Sequence, residues 1–177
     1  MFEVVSLGLR GNGYIKPDSN NDRYSELVIT DASGYAGVTL VVDTRAGTNR
    51  VRASVSSGST RVAVFSATGY KDESMISIVS GDVQSGEISK VLGERLVVEV
   101  ADQYGNYGTG ETVSFGAERG VLSGAGVVVG TDGRARVWYT MDGSVGMRRI
   151  TAAIVTTSAT AVVTFEEYGI TRGVNDI

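Results

Sequence analysis

The 177-residue chain contains no cysteine, no histidine and a single proline. Without the first two there is no disulfide framework, no thiol nucleophile and no Ser-His-Asp relay. The usual zinc, haem and iron–sulfur ligand sets are missing as well, so no cofactor is expected. No apolar run approaches the roughly 20 residues that a membrane-spanning helix needs, and no membrane insertion is expected within this segment. Lysine is scarce, with Lys16, Lys71 and Lys90 the only three, and the net charge is -4. A nucleic-acid footprint needs clustered positive charge, and scattered arginines on an acidic chain do not supply it. The start, Met1-Phe2-Glu3-Val4-Val5-Ser6, lacks the basic and apolar regions of a signal peptide. On that reading the chain is either not exported or a piece of something longer. The absence of cysteine fits cytosolic proteins, and equally exported ones that need no disulfides.

What is present is glycine, twenty-four residues of it, and short stretches of alternating apolar residues. Leu96, Val98 and Val100 alternate with Val97, Glu99 and Ala101, and Ala135–Tyr139 and Ile150–Ile154 follow the same period of two. That period is the signature of a half-buried strand. Turn residues separate the runs, as in Asp102-Gln103-Tyr104-Gly105-Asn106, Thr131-Asp132-Gly133 and Met141-Asp142-Gly143. No stretch carries a helical stripe. Many short strands with regular glycine and aspartate turns predict an all-β sandwich or barrel.

The chain also repeats itself. Thr30-Asp31 and the run to Leu40 parallel Thr131-Asp132 and the run to Tyr139. Gly47, Val51, Ala53 and Val55 match Gly146, Ile150, Ala152 and Ile154 in spacing, and Phe65 matches Phe165 near the end of each copy. Upstream, Val5-Ser6-Leu7 is aligned with Val113-Ser114-Phe115, and Gly13 with Gly120. The period of about 100 residues is the size of one immunoglobulin-type sandwich. The copies are unequal: the second opens with Met75–Gly86 and Gly93–Val100, and the first has no counterpart of that stretch. The expected fold is therefore two Ig-like β-sandwiches in tandem, the first lacking its N-terminal strands. The expected boundaries are 1–69 for the partial domain, 70–73 for a linker, 74–168 for the complete domain and 169–177 for a tail. A sandwich without two of its strands would expose apolar face and unpaired edges.

The second copy carries Ser80-Gly81-Asp82-Val83-Gln84-Ser85-Gly86, the strand Leu96–Asp102, Gly105-Asn106, and Gly110-Glu111-Thr112-Val113-Ser114-Phe115. Gly120, Thr131-Asp132-Gly133-Arg134-Ala135, Ala152 and Phe165 follow. In these residues the chain resembles the bacterial Ig-like repeats of the invasin and intimin type, fully over about 73–168 and partly over about 2–69. Tyr107 departs from the pattern, standing where such repeats usually have proline. The resemblance implies a rigid spacer in surface adhesins and other exported bacterial proteins, and hence an extracellular or cell-surface location.

Position suggests roles for single residues. Gly105 and Asn106 are expected to supply the positive φ of a tight turn, and Asp31 and Asp132 to cap theirs as Asx-turns. Phe65, Phe115 and Phe165 are expected to face inward. Asp18, Asn20 and Asp22 resemble the opening of a calcium loop, but Arg23 occupies the glycine position and Ile29 that of the bidentate Glu. A solvated loop is the preferred reading, and no metal is assigned. Trp138 is expected to point outward, where it could stack on a sugar or anchor a partner, with packing against a neighbouring segment as the blander role. Tyr104 and Tyr107 could form an aromatic tip. Arg134, Arg136, Arg148 and Arg149 read as sheet-surface charges that discourage edge-to-edge pairing. Glu166 and Glu167 are adjacent on a strand and point to opposite faces, so they cannot form a hydrolytic pair alone.

The leading expectation is a non-catalytic structural or adhesion module, an Ig-like stalk segment whose partners are adjacent Ig-like domains. One alternative is a filament subunit in which neighbouring chains complete the first sandwich, with the tail from Tyr168 as a possible donor strand. Another is a carbohydrate- or matrix-binding module that uses Trp138, with a glycan or cell-surface receptor as partner.

Overall fold

The computed structural model describes residues 2–6, 14–16, 25–55, 62–156 and 160–172. The chain divides into two compact units, Met1–Lys71 and Asp72–Ile177. Strand is the only regular secondary structure among the described residues.

The first unit contains β1 (Phe2–Ser6), β2 (Tyr14–Lys16), β3 (Ser25–Val28), β4 (Thr39–Val41), β5 (Gly47–Val55) and β6 (Val62–Gly69). They form one sheet of order β3-β1-β5-β6 and a separate β2–β4 pair. In β5, Asn49, Val51 and Ala53 are buried while Arg50 and Arg52 face solvent. Alternation of charged and apolar residues thus gives the strand one wet face and one dry face.

The second unit contains β7 (Met75–Ser80), β8 (Ser85–Glu87), β9 (Leu96–Ala101), β10 (Thr112–Ala117), β11 (Val121–Leu122) and β12 (Gly126–Val128). These are followed by β13 (Arg134–Val137), β14 (Tyr139–Thr140), β15 (Gly146–Val155) and β16 (Thr160–Ile170). A sheet of order β12-β10-β15-β16-β8 faces a sheet of order β13-β9-β7, and β11 pairs with β14. Leu96, Val98 and Val100 from one sheet meet Val113, Phe115, Ile150 and Phe165 from the other in a single buried core. Two antiparallel sheets around one core, of this order, form a sandwich of the immunoglobulin type. The parallel pairing in it is that of β8 with β16.

The repeat is visible in register. Gly47 lies opposite Gly69 and Val51 opposite Phe65, as Gly146 lies opposite Gly169 and Ile150 opposite Phe165. The upstream alignment needs correction. Val4 pairs with Ala53 and Phe115 with Ala152, so Val4 is the equivalent of Phe115, and the match of Val5 to Val113 is displaced by three residues. Runs of valine give several plausible phases, and only the ladder selects one.

Three further expectations change. Gly105 has φ +82° while Asn106 does not have positive φ, so glycine alone makes that turn. Phe165 is fully buried but Phe65 is 62 % exposed. Its strand position is right, but among the described residues no second sheet covers it. Finally, β16 continues to Ile170, and Tyr168, Gly169 and Ile170 pair with Ser85, Gly86 and Glu87. That part of the expected tail is therefore an integral strand rather than a free donor. The Asx-turns hold, with Asp31 Oδ1 accepting from the Ser33 and Tyr35 N–H groups and Asp132 Oδ1 from the Arg134 N–H.

Candidate functional sites

The largest difference between the units is a groove. In the first, Val51 and Ala53 are the buried apolar residues among those described, with Val38 and Leu40 packed against them. An apolar cavity of about 580 Å³ opens beside them, lined by Tyr35, Val38, Leu40, Val51, Ala53 and Phe65 among others. Among the described residues no acidic or basic side chain lines it. The corresponding face of the second unit is covered by β9 and β7, whose Leu96, Val98, Ile76 and Ile78 lie against Phe165 and Ile150 in one core.

Trp138 follows β13 and lies 37 % exposed, between the buried Val137 and Tyr139. Its backbone N–H donates to Ser123 Oγ at 2.9 Å. The Arg95 guanidinium sits 5.0 Å from the ring centroid, within the range of a cation–π contact. A shallow hollow of about 480 Å³ lies beside the ring, between Val91, Leu92, Val121 and Thr140. One face of the ring thus carries Arg95.

Tyr104 and Tyr107 are both about half exposed, but they do different work. Tyr107 bridges to Ala101, and its ring lies against Gly133, where a Cβ would collide with it. Tyr104 lies in a turn organised by the buried Asp102. Asp102 Oδ1 accepts from the Tyr104 and Asn106 N–H groups at 2.9 Å. Its Oδ2 accepts from the Asn106 side chain at 2.7 Å and the Asp72 N–H at 2.9 Å. Burial alone would raise the Asp102 pKa, but these donors hold it down at about 2.

The arginines are matched rather than pooled. Arg134 pairs with Glu99, Arg136 with Asp132, and Arg149 with Glu166. Arg148 corrects the surface reading. It is buried, with Nε 2.6 Å from Asp142 Oδ1 and its other nitrogens donating to the Ser144 and Met147 carbonyls.

Glu167 was missed as a special position. It is completely enclosed; Oε2 accepts from the Gln84 N–H at 2.8 Å, while Oε1 is buried without a hydrogen-bond partner. Burial raises its pKa to about 7, with the Gln84 bond opposing and the Asp82 charge adding. The available signal was spacing: two residues beyond Phe165 on a strand is the same, inward face. Asp18, Asn20 and Asp22 lie outside the described residues. Among the described residues no group of three or more acidic side chains is placed to hold a metal ion, and no helix is long and apolar enough to cross a membrane.

No family model matches the chain, and no curated protein matches it. Among solved structures it is similar to the D0-D1 domains of intimin, with 18 % identity and a TM-score of 0.41, covering 94 % of this chain and 80 % of that one. It is similar to invasin, a bacterial integrin-binding protein, with 19 % identity and a TM-score of 0.45, covering 92 % of this chain and 31 % of invasin. It is also similar to domains 4 and 5 of the S-layer protein SbsC, with 18 % identity and a TM-score of 0.45, covering 71 % of this chain and 66 % of that one.

Proposed function

We propose that the chain is a non-catalytic structural module, a tandem Ig-like segment of a cell-surface or extracellular protein, whose second unit carries tension. The observation behind this reading is the parallel pairing of β8, near the start of that unit, with β16 at its end. Pulling the unit by its two ends slides these strands past each other. Bonds between strands run across the pulling direction, so they resist together instead of opening one at a time. The Tyr168 N–H to Gln84 carbonyl bond at 2.9 Å and the Ile88 N–H to Ile170 carbonyl bond at 3.0 Å belong to this clamp. So do the Val83 N–H to Glu166 carbonyl bond and the two carboxylate contacts, Gln84 N–H to Glu167 and Glu166 N–H to Asp82.

Single-molecule stretching of the chain between fixed ends tests the reading. The second unit is expected to rupture in one discrete high-force event, and Ile88→Pro, which removes one clamp donor, is expected to lower that force. Gradual extension without a rupture peak would dismiss a load-bearing role.

A further inference from the structure

We infer that the groove of the first unit is a strand-docking site whose occupant is a polypeptide partner. The partner adds one extended strand antiparallel to residues 35–38, with apolar side chains at alternate positions. The argument starts from the repeat. Ala36 and Val38 occupy the places of Ala135 and Val137 by spacing and lead into β4 as those lead into β14. In the second unit, β13 pairs along one edge with β9, Ala135 opposite Val98 and Val137 opposite Leu96. Residues 35–38 form no strand, yet Ala36 and Val38 are half-buried while Tyr35 and Gly37 are exposed. The alternation needed for a ladder is present, and no described residue supplies the partner strand.

The floor of the groove leads to the same occupant. Leu40, Val51 and Phe65 take the places of Tyr139, Ile150 and Phe165, which are fully buried beneath β9 and β7. The groove is therefore the continuation, in the first unit, of a face that an apolar strand covers in the second. Its described lining residues carry no acidic or basic side chain, so a charged inward residue on the partner would be buried unpaired against them. The expected register sets the partner's counterparts of Leu96 and Val98 opposite Val38 and Ala36. Leu40, Val51 and Ala63 are smaller than Tyr139, Ile150 and Val163. A well-fitting occupant therefore carries bulkier inward side chains than Leu96 and Val98 themselves.

Titration of the full chain with a synthetic peptide of residues 74–102, followed by calorimetry and amide exchange, tests the proposal. One peptide per chain is expected to bind, with protection of the Ala36 and Val38 amides, the equivalents of the Ala135 and Val137 positions that face β9. Phe65→Asp, which charges the groove at an exposed position, is expected to weaken binding about tenfold or more. Val64→Asp is the control: Val64 is 61 % exposed, is absent from the groove lining, and should leave binding unchanged. A peptide with Val98→Ile is expected to bind more tightly, and one with Val98→Asp not at all. The same segment joined by a flexible linker ahead of residue 1 should give the same protection without added peptide. The proposal is overturned if neither the free nor the tethered segment protects the Ala36 and Val38 amides, or if the two aspartate variants behave alike. A dimer of the chain that covers Phe65 and that the peptide does not dissociate would also overturn it, in favour of a copy-on-copy interface. The stretching experiment concerns the second unit alone, so this inference and the load-bearing role can fail separately.

Discussion

Glu167 and Asp102 pull the pH dependence of the second unit in opposite directions. In the unfolded chain Glu167 titrates near its ordinary 4.5, whereas burial in the fold raises it to about 7. As pH rises through this window the unfolded chain releases the proton first and the folded chain must hold it or bury a charge. The stabilisation linked to Glu167 is therefore complete below the unfolded pKa and lost as pH rises through the folded one, an effect of about 3 kcal/mol at most. Asp102 behaves inversely, because its pKa falls from 3.8 to about 2. Its contribution is present above the unfolded value and lost as pH falls through the folded one. The melting temperature of this unit is expected to peak at about pH 4–5 and decline toward pH 8. Glu167→Gln removes the titrating group and should flatten the alkaline side, with the variant melting several degrees above the parent at pH 8. Thermal scans by circular dichroism from pH 3 to 9 check both arms, and an unchanged alkaline slope in the variant would refute the assignment to Glu167.

Turns show how two similar glycines carry different loads. Gly105 and Gly120 both have positive φ, +82° and +76°. A Cβ on Gly105 meets nothing, whereas on Gly120 it meets the Tyr139 hydroxyl and the Thr140 carbonyl. Gly105→Ala should thus cost only the left-handed backbone penalty, about 1–2 kcal/mol. Gly120→Ala should cost about 3 kcal/mol or more, because overpacking adds to it. Urea denaturation of the two variants side by side measures the difference, and equal losses would mean that the collision is relieved freely. The strands themselves were legible where alternation is strict: β9, β13 and β15 lie where their apolar residues recur at period two. The equivalence of β5 and β15 was legible from their shared spacing, Gly47 to Val55 and Gly146 to Ile154. The phase of β1 was not, because Val4 and Val5 are interchangeable to a pattern and only Ala53 decides between them. Arg148 and Glu167 escaped because charge suggests solvent, although each sits two residues from an inward Ile150 or Phe165. The groove was half legible: the repeat showed no first-copy counterpart of the stretch from Met75 to Val100, but Phe65 was still expected to be inside. Burial depends on the covering layer as well as on the strand that bears the residue.

At the scale of the whole molecule, the two units have separate cores of unequal size. Fifteen buried apolar residues form one cluster in the second unit, against Val51 and Ala53 among the described residues of the first. Apolar burial is the main favourable term in folding, so the first unit should unfold earlier and the chain should not melt in a single transition. The equivalent phenylalanines make this testable with one substitution type. Phe165→Ala empties a fully buried site and should destabilise the later transition by about 3–5 kcal/mol. Phe65→Ala removes a ring that is 62 % exposed and should shift the earlier transition by about 0.5 kcal/mol or less. Differential scanning calorimetry of both variants separates the possibilities. If Phe165→Ala lowers both transitions together, the units unfold as one cooperative body and the view of two independent cores fails. If Phe65→Ala is as damaging as Phe165→Ala, then Phe65 is covered in solution, and the groove is already filled.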